Sequence, residues 1–321
     1  MKHIVKQSSG KDSETLAIWA EENLGVAGVD WIPAFWDTKW EHPITYAHLN
    51  YLDETLFHGT LVRRASKTYP GGFVEMCVDR KGFPSVKRRF CTQELKVIVQ
   101  HEFIQELDDE ITLYQGIRAD ESDARALMRE RQWVDDAGGY WIERPLLRWT
   151  AEQCFAKMAQ RGVKPNPLYL LGQSRVGCWP CIMTGLRELK AMLRVEPTLK
   201  FRLIELETYV NERVSNRDTR KWKATFWAAG TIPDRFCSLQ AMVECRGCDG
   251  TGKVTRQVDA PLLVQIAEPS IVDCKRCLGM GEYMAFVPTA DDVFKYIESR
   301  DEGQLPIEKP KACMSVYNLC E

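Results

Sequence analysis

Lys6-Gln7-Ser8-Ser9-Gly10-Lys11-Asp12-Ser13 is the stretch on which the fold turns. Before it, Met1-Lys2-His3-Ile4-Val5 has room for one buried strand. After it, the run from Thr15 to Glu22 places Leu16, Trp19 and Ala20 on one helical face. A strand, a tight Ser/Gly turn and a helix N-terminus together form an anion site. Backbone N–H groups converge there, the helix dipole favours negative charge, and Ser8, Ser9 and Ser13 add hydroxyls. Gly10 permits close backbone approach, and Lys11 offers a point charge. The same residues also read as an ordinary capped helix start, with Ser9 or Ser13 at the cap.

Working outward, the first 60 residues alternate strand and helix. Gly28 to Trp36 reads as a second strand ending in Asp37-Thr38, and Glu41-His42-Pro43 opens a helix from Ile44 to Leu56. This order predicts an α/β fold with a doubly wound, mostly parallel sheet, and ligands in such sheets bind outside the carboxyl ends of the strands. Leu61 to Arg64 and Ile111 to Arg118 are further strand candidates. Gln93 to Ile98, Thr150 to Ala159 and Leu186 to about Arg213 read as helices, Thr150 being an N-cap. The expected organisation is a main α/β domain over 1–238, a small cysteine-rich segment over 239–285 and a polar tail over 286–321.

Composition narrows the function classes. The chain has 321 residues, 45% hydrophobic and 27% charged, enough to bury a full core. A net charge of −2 makes no global case for nucleic acid or membrane. No apolar run spans a bilayer, and strand pattern begins where a signal peptide would stand, so a cytoplasmic protein is expected. Twelve cysteines then point to thiolates, metal or clusters in a reducing compartment.

Two copies of Cys-x-x-Cys-x-Gly-x-Gly carry the most specific local signal. They are Cys245-Arg246-Gly247-Cys248-Asp249-Gly250-Thr251-Gly252 and Cys274-Lys275-Arg276-Cys277-Leu278-Gly279-Met280-Gly281. Four thiolates at tetrahedral geometry make a closed structural Zn²⁺ site, so Cys245, Cys248, Cys274 and Cys277 are its expected ligands. The segment between them, including Pro261 to Ile266, can form a hairpin. Arg246, Lys253, Arg256, Lys275 and Arg276 would suit a contact surface for nucleic acid or protein. Upstream, Arg213, Arg217, Arg220, Lys221 and Lys223 interleave with Trp222, Phe226 and Trp227. That pattern fits nucleic-acid contact and equally a solvated helix face.

The motifs together resemble a known family. Ser8-Ser9-Gly10-Lys11-Asp12-Ser13 is similar to the Ser-Gly-Gly-x-Asp-Ser pyrophosphate loop of the N-type ATP pyrophosphatases and sulfonucleotide reductases, with Ser9 in place of the usual glycine. Asp37-Thr38-x-x-Glu41-His42-Pro43 resembles the second-strand motif of the phosphoadenylyl-sulfate (PAPS) reductase family. So do Arg89-Phe90-Cys91-Thr92-x-x-Leu95-Lys96, Gly116-Ile117-Arg118-x-Asp120-Glu121-Ser122, and Asn166-Pro167-Leu168-Tyr169 through Gly177-Cys178-x-x-Cys181. The likeness covers roughly residues 1–190. The cysteine-rich segment resembles one zinc unit of DnaJ-type chaperones.

The resemblance implies the adenine nucleotide alpha-hydrolase fold and an adenine nucleotide, ATP or PAPS, with phosphates on Ser8 to Ser13 and base or ribose near Asp37 and Thr38. Lys11, Asp12, Arg118 and Cys91 are the implied catalytic residues. Arg118 would grip phosphate or sulfate oxygens with its planar fork, the alternative being an ion pair with Asp120 or Glu121. Family members with a [4Fe–4S] cluster use Cys-Cys upstream and Cys-x-x-Cys downstream. Here Cys178 and Cys181 form the downstream pair, whereas Cys91 is followed by Thr92. Three cysteines resemble the open-iron arrangement of ATP-dependent tRNA-thiolating enzymes, where the open iron can carry the incoming sulfur. Cys77 or Cys154 could complete the set, and a zinc-binding or merely buried pair is the plain alternative. The Glu-Cys-Gly-Leu-His tail of cluster-free reductases is absent, although Cys313 and Cys320 lie near the end.

ATP-dependent sulfur transfer through an iron–sulfur cluster is therefore the favoured expectation. PAPS or adenylyl-sulfate reduction with release of sulfite is the alternative, and a non-catalytic nucleotide-binding adaptor is the third. The partners expected are the nucleotide, a nucleic-acid acceptor, and a thioredoxin-like or other sulfur or electron donor. No membrane is expected, and a homodimer stays open.

Overall fold

The computed structural model describes residues 1–85, 88–215, 224–227, 230–245, 248, 251–256 and 270–305. Packing divides the chain into two units, one of residues 1–80, 84–199 and 300–321, the other of 81–83 and 200–299.

The first unit opens with β1 (Lys2–Gln7), α1 (Lys11–Asn23), β2 (Ile32–Asp37), α2 (Pro43–Thr55), β3 (Val62–Ala65) and α3 (Phe73–Asp79). Next, α4 (Phe90–Thr92) continues through a π-helical stretch, Gln93–Val97, into α5 (Ile98–Leu107). There follow β4 (Ile111–Tyr114), α6 (Asp123–Ala126), β5 (Arg131–Val134), β6 (Tyr140–Glu143), α7 (Ala151–Gln160) and α8 (Leu186–Val195). The six-stranded sheet has the order β3-β2-β1-β4-β6-β5. Every pairing is parallel except β5 with β6. The second strand starts later than its hydrophobic run implied, because Val26 to Asp30 form a turn closed by the Asp30 carboxylate on Val26 N, 2.7 Å.

Helices cover both faces of this sheet. On one, Leu16, Ala17 and Ala20 of α1, Leu52 of α2 and Met158 of α7 pack over Val5 and Tyr114. On the other, Val99, Phe103 and Ile104 of α5 pack over Ile4, Ala34, Trp36 and Leu113. Central strands covered on both faces carry short apolar runs, such as Ile4-Val5 in β1 and Ala34-Phe35-Trp36 in β2, rather than strict alternation. The order reverses between β1 and β4, so the crevice of a doubly wound sheet falls beyond Gln7 and Tyr114.

The helical stretch from Leu186 is two helices, α8 and then α9 (Leu199–Ser215). Pro197 divides them. It has no N–H, and its ring disfavours helical backbone at Glu196, whose φ is −130° and ψ 79°.

The second unit holds most of α9 with β7 (Leu239–Glu244), β8 (Lys253–Arg256), β9 (Ser270–Asp273), β10 (Glu282–Val287) and α10 (Ala290–Glu298). β7 pairs with β10 and β8 with β9, both antiparallel. Its core includes Leu203, Leu206, Val210, Phe226, Trp227, Val293, Phe294 and Ile297. The buried Glu207 carboxylate ties it together, accepting from Phe226 N at 2.6 Å and Ala290 N at 2.7 Å.

Two expectations are corrected here. Phe226 and Trp227, read as aromatics interleaved in a basic surface, are core side chains, with Trp227 edge-on to Phe294 at 5.7 Å. Of the cations in that stretch, Arg213 stacks on Tyr209 of its own helix, 3.3 Å from the ring centre. Arg217, Arg220, Lys221, Trp222 and Lys223 lie outside the described residues. The expected polar tail contains a well-packed helix at Ala290–Glu298, capped by Thr289 and buried along Val293, Phe294 and Ile297. Pro261 to Ile266, Cys313 and Cys320 also lie outside the described residues.

Candidate functional site

The loop leaving β1 is held by its own side chains. Ser13 Oγ accepts from Ser8 N at 3.1 Å and Gly10 N at 3.3 Å, and donates to Gly10 O at 2.9 Å. Ser8 Oγ lies 3.1 Å from the same atom. Ser13 thus closes the loop rather than offering a free hydroxyl. The left-handed residue is Ser9, at φ 62°, whereas Gly10 is extended at φ −105°. Asn166 Nδ2 donates to Ser9 Oγ at 2.8 Å and to Ser9 O at 3.1 Å. The Tyr169 hydroxyl accepts from Lys11 N at 2.9 Å.

Charged groups alternate in sign beside the loop. Lys11 Nζ bonds Asp12 Oδ2 at 2.9 Å. Arg118 Nε bonds Asp12 Oδ1 at 2.5 Å, and its Nη1 bonds both Asp120 oxygens at 2.6 Å. Burial disfavours the Arg118 charge, but Asp12 and Asp120 outweigh it and raise its pKa further. Gly116 lets this strand end approach, since a Cβ there would lie 2.7 Å from Asp12 O. The structure thus unites Lys11, Asp12 and Arg118 with the loop, and the Asp120 ion pair forms as well.

Asp37 accepts from Tyr46 Oη at 2.7 Å and from Lys39 N at 2.8 Å, which fixes its carboxylate at the end of β2. Thr38 Oγ1 donates to the buried Glu41 at 2.7 Å. Cys178 reaches both, 3.7 Å from Thr38 Oγ1 and 3.8 Å from Glu41 Oε1. A backbone bridge between Glu41 and Cys178, with Trp179 N on Trp40 O at 2.7 Å, docks the Cys178–Cys181 turn on this loop.

Cys91, Cys178 and Cys181 gather around Lys96. Burial opposes the Lys96 charge, yet Cys178, Glu41, Cys181 and Cys91 together raise its pKa. Burial pushes the Cys91 thiol up to about 11, Cys181 adds to the shift, and Lys96 and Arg89 oppose it. Burial also raises Cys178 and Glu41. Lys96 stands five residues after Cys91, a spacing that splits two side chains between faces of a regular α-helix. The π-helical stretch Gln93–Val97 changes that register, and such insertions recur at functional sites. A small crevice lined by Lys6, Gln7, Ser8, Phe35, Trp36, Glu41, Lys96 and Gly177 joins the phosphate loop to this group.

Three soft thiols around one ammonium suit an anionic thiolate-held cluster, and cubane corners lie further apart than four ligands of one ion. Thr92 occupies the position of the missing cysteine, buried, with Arg89 Nη2 3.3 Å from its hydroxyl. Cys77 lies near Cys91, whereas Cys154 faces Asp12 and Arg118 behind the phosphate loop. Of the two extra candidates, Cys154 therefore belongs with the loop and not with the cysteine group.

The second cysteine group is closed. The Sγ atoms of Cys245, Cys248, Cys274 and Cys277 all lie within 4.8 Å of one another. Cys245 to Cys274 and Cys248 to Cys277 are 3.6 Å apart. Zn–S bonds of about 2.3 Å put tetrahedral sulfurs about 3.8 Å apart, so the spacing is compatible with a small zinc site. Within each repeat a glycine caps the second thiol, and across the repeats the backbones pair reciprocally. Gly252 N donates to Cys248 Sγ and Gly281 N to Cys277 Sγ, at 3.2 and 3.3 Å. Cys245 N donates to Gly281 O and Cys274 N to Gly252 O, both at 2.8 Å. Around it, Lys253 pairs with Asp273 and Arg276 with the Tyr283 hydroxyl. Lys275 is exposed, whereas Arg246 and the Arg256 side chain lie outside the described residues.

A family model for the phosphoadenosine phosphosulfate reductase domain matches residues 2–184. The chain belongs to that family. An uncharacterized 37.8 kDa protein of Escherichia phage 186 is 33% identical over 285 residues, 73% of this chain and 81% of that protein. Adenosine 5'-phosphosulfate reductase of Deinococcus radiodurans is 41% identical over 49 residues, 15% of this chain and 19% of the enzyme. The Streptomyces coelicolor enzyme of that name is 36% identical over 66 residues, covering 21% and 28%. The crystal structure of PAPS reductase from Candida auris aligns with a TM-score of 0.43 at 18% identity, covering 56% of this chain and 83% of that one. Membership in the family implies an enzyme with an adenine-nucleotide fold, and no helix among the described residues is long and apolar enough to cross a membrane.

Glu41, Arg89, Lys96, Asn166 and Tyr169 stand within the family-like motifs, but their partners follow from tertiary contacts rather than from the motifs. Only the Cys91–Lys96 spacing, ill-suited to a plain α-helix, hints at such a contact.

Proposed function

We propose that this protein binds ATP at the Ser8–Ser13 loop and uses it to transfer sulfur to an acceptor. The observation that carries the reading is the small crevice lined by both Ser8 of the phosphate loop and Lys96 of the cysteine group. Lys11 and Arg118 would hold phosphate oxygens, exchanging their present carboxylate partners for ligand ones. An acceptor oxygen attacks the α-phosphorus, the bond to the bridging oxygen breaks, and pyrophosphate leaves. A sulfur nucleophile at the hydrosulfide level then displaces AMP, so the exchange needs no net electrons. Cys91, Cys178 and Cys181 would hold a [4Fe–4S] cluster, which when bound supplies an iron able to carry sulfur. Thr92 favours this over a fully ligated cluster. No disulfide joins the cysteines among the described residues, in keeping with a reducing, cytoplasmic setting.

Sulfonucleotide reduction is the second reading, favoured by the short matches to adenosine 5'-phosphosulfate reductases. We assign the second cysteine group to a structural Zn²⁺ in a ribbon spanning 239–285.

Anaerobic purification followed by iron, sulfide and nucleotide assays separates the readings. Sulfur transfer predicts about three or four irons per chain and AMP formation from ATP that requires an added nucleic acid. Sulfite release from PAPS with thioredoxin, lost in Cys313→Ser or Cys320→Ser, would replace it with reduction. A colourless anaerobic protein holding only zinc would remove the cluster from both.

A further inference from the structure

Ser9 stands in backbone space that side chains disfavour. At φ 62° its Cβ crowds the following carbonyl, a conformation glycine adopts freely. The pattern this loop resembles has glycine at that position. Ser9 and Asn166 are both fully buried, so neither side chain is open to bulk solvent.

Asn166 compensates instead. Its Oδ1 accepts from Leu168 N at 3.0 Å, which sets the amide orientation. Its Nδ2 therefore faces Ser9 and donates to both the carbonyl and the hydroxyl, at 3.1 and 2.8 Å. Three residues on, Tyr169 accepts from Lys11 N at 2.9 Å. The 166–169 turn thus grips the loop on both sides of Gly10.

We propose that Asn166 is a positioning residue for the phosphate loop. Its side-chain amide holds Ser9 left-handed, in place of the conformational freedom that a glycine would supply. The proposal rests on the loop being a phosphate site. Its physical core is a dependence between two residues 157 positions apart in sequence. Asparagine is required rather than aspartate, because a carboxylate would keep the cap on Leu168 N but set an acceptor against Ser9 O.

A double-mutant cycle on the full chain tests this, read by ATP titration calorimetry and by urea unfolding. Asn166→Ala and Asn166→Asp each weaken ATP binding by about tenfold, the loss of one or two buried hydrogen bonds. In a Ser9→Gly background the same Asn166→Ala change weakens ATP by no more than about threefold, because glycine stays left-handed without help and only the bond to the backbone carbonyl is lost. An equal loss in both backgrounds overturns the proposal and leaves Asn166 as a cap of its own turn. So does an Asn166→Ala variant that binds ATP as wild type does. If the wild-type chain binds neither ATP nor pyrophosphate, the phosphate reading fails. The urea midpoints then decide the coupling alone, with a smaller drop in the Ser9→Gly background supporting it and an equal drop overturning it. Should Asn166→Ala fold in neither background, Asn166→Asp takes its place in the cycle.

Discussion

The two cysteine groups use the same atom for opposite purposes. In the second unit, four sulfurs converge within 4.8 Å, and the glycines of each repeat bond the thiols and the backbone of the cysteine turns. Nothing in that arrangement leaves a coordination position open. In the first unit, Cys91 comes from α4 while Cys178 and Cys181 come from a turn docked on the end of β2. They lie close enough to Lys96 and to one another to shift each other's titration, and a threonine follows Cys91 where the fourth cysteine would stand. A closed set suits structure, whereas a set assembled from distant elements beside a crevice suits chemistry.

The strongest way to break this contrast is to remove a thiol from the closed set. Cys274→Ser should abolish zinc binding and unfold the second unit, since structural zinc contributes about 10–16 kcal/mol of apparent folding free energy in small domains. Zinc analysis and protease cleavage within 200–299 would report it, while ATP affinity persists. A second unit that stays protected without metal would end the structural assignment. Next in size, Lys96→Met removes the cation from the open set. Breaking a buried charge arrangement costs about 3–5 kcal/mol, so anaerobic iron content should fall by tenfold or more while zinc is unchanged.

Glu207 asks whether the second unit depends on its metal site alone. Burial raises this carboxyl from its ordinary 4.5 to about 7, against the pull of the Ala290 and Phe226 N–H groups. Between those values the native state holds a proton that the unfolded chain has released. Stability from Glu207 is therefore full below about pH 4.5 and lost as pH rises through about 7, a span of about 3 kcal/mol. Urea midpoints from pH 5 to 8 should fall in the wild type by more than in Glu207→Gln. The smallest effect belongs to the phosphate loop. Ser13→Ala removes the acceptor shared by Ser8 N and Gly10 N, and ATP should bind about tenfold or less weaker, a cost of about 1 kcal/mol.

What could be read in order along the chain was local chemistry. The alternation of strand and helix, the Ser/Gly turn before a helix, the Thr150 cap and the paired Cys-x-x-Cys-x-Gly-x-Gly repeats each act over a few residues, so their spacing carries them. The fate of a side chain between elements is a different quantity. Phe226 and Trp227 looked like a basic-aromatic surface because local pattern does not report burial. The helix at Ala290–Glu298 reads as tail in sequence because its apolar face is short and flanked by acids. Lys96 joined the cysteines only through a change of helical register. Ser9 can occupy its loop because Asn166, far along the chain, folds back onto it. Sequence determined which groups were present and in what order. Tertiary structure decided which of them meet, because packing and long-range hydrogen bonds are properties of the closed chain and not of any segment of it.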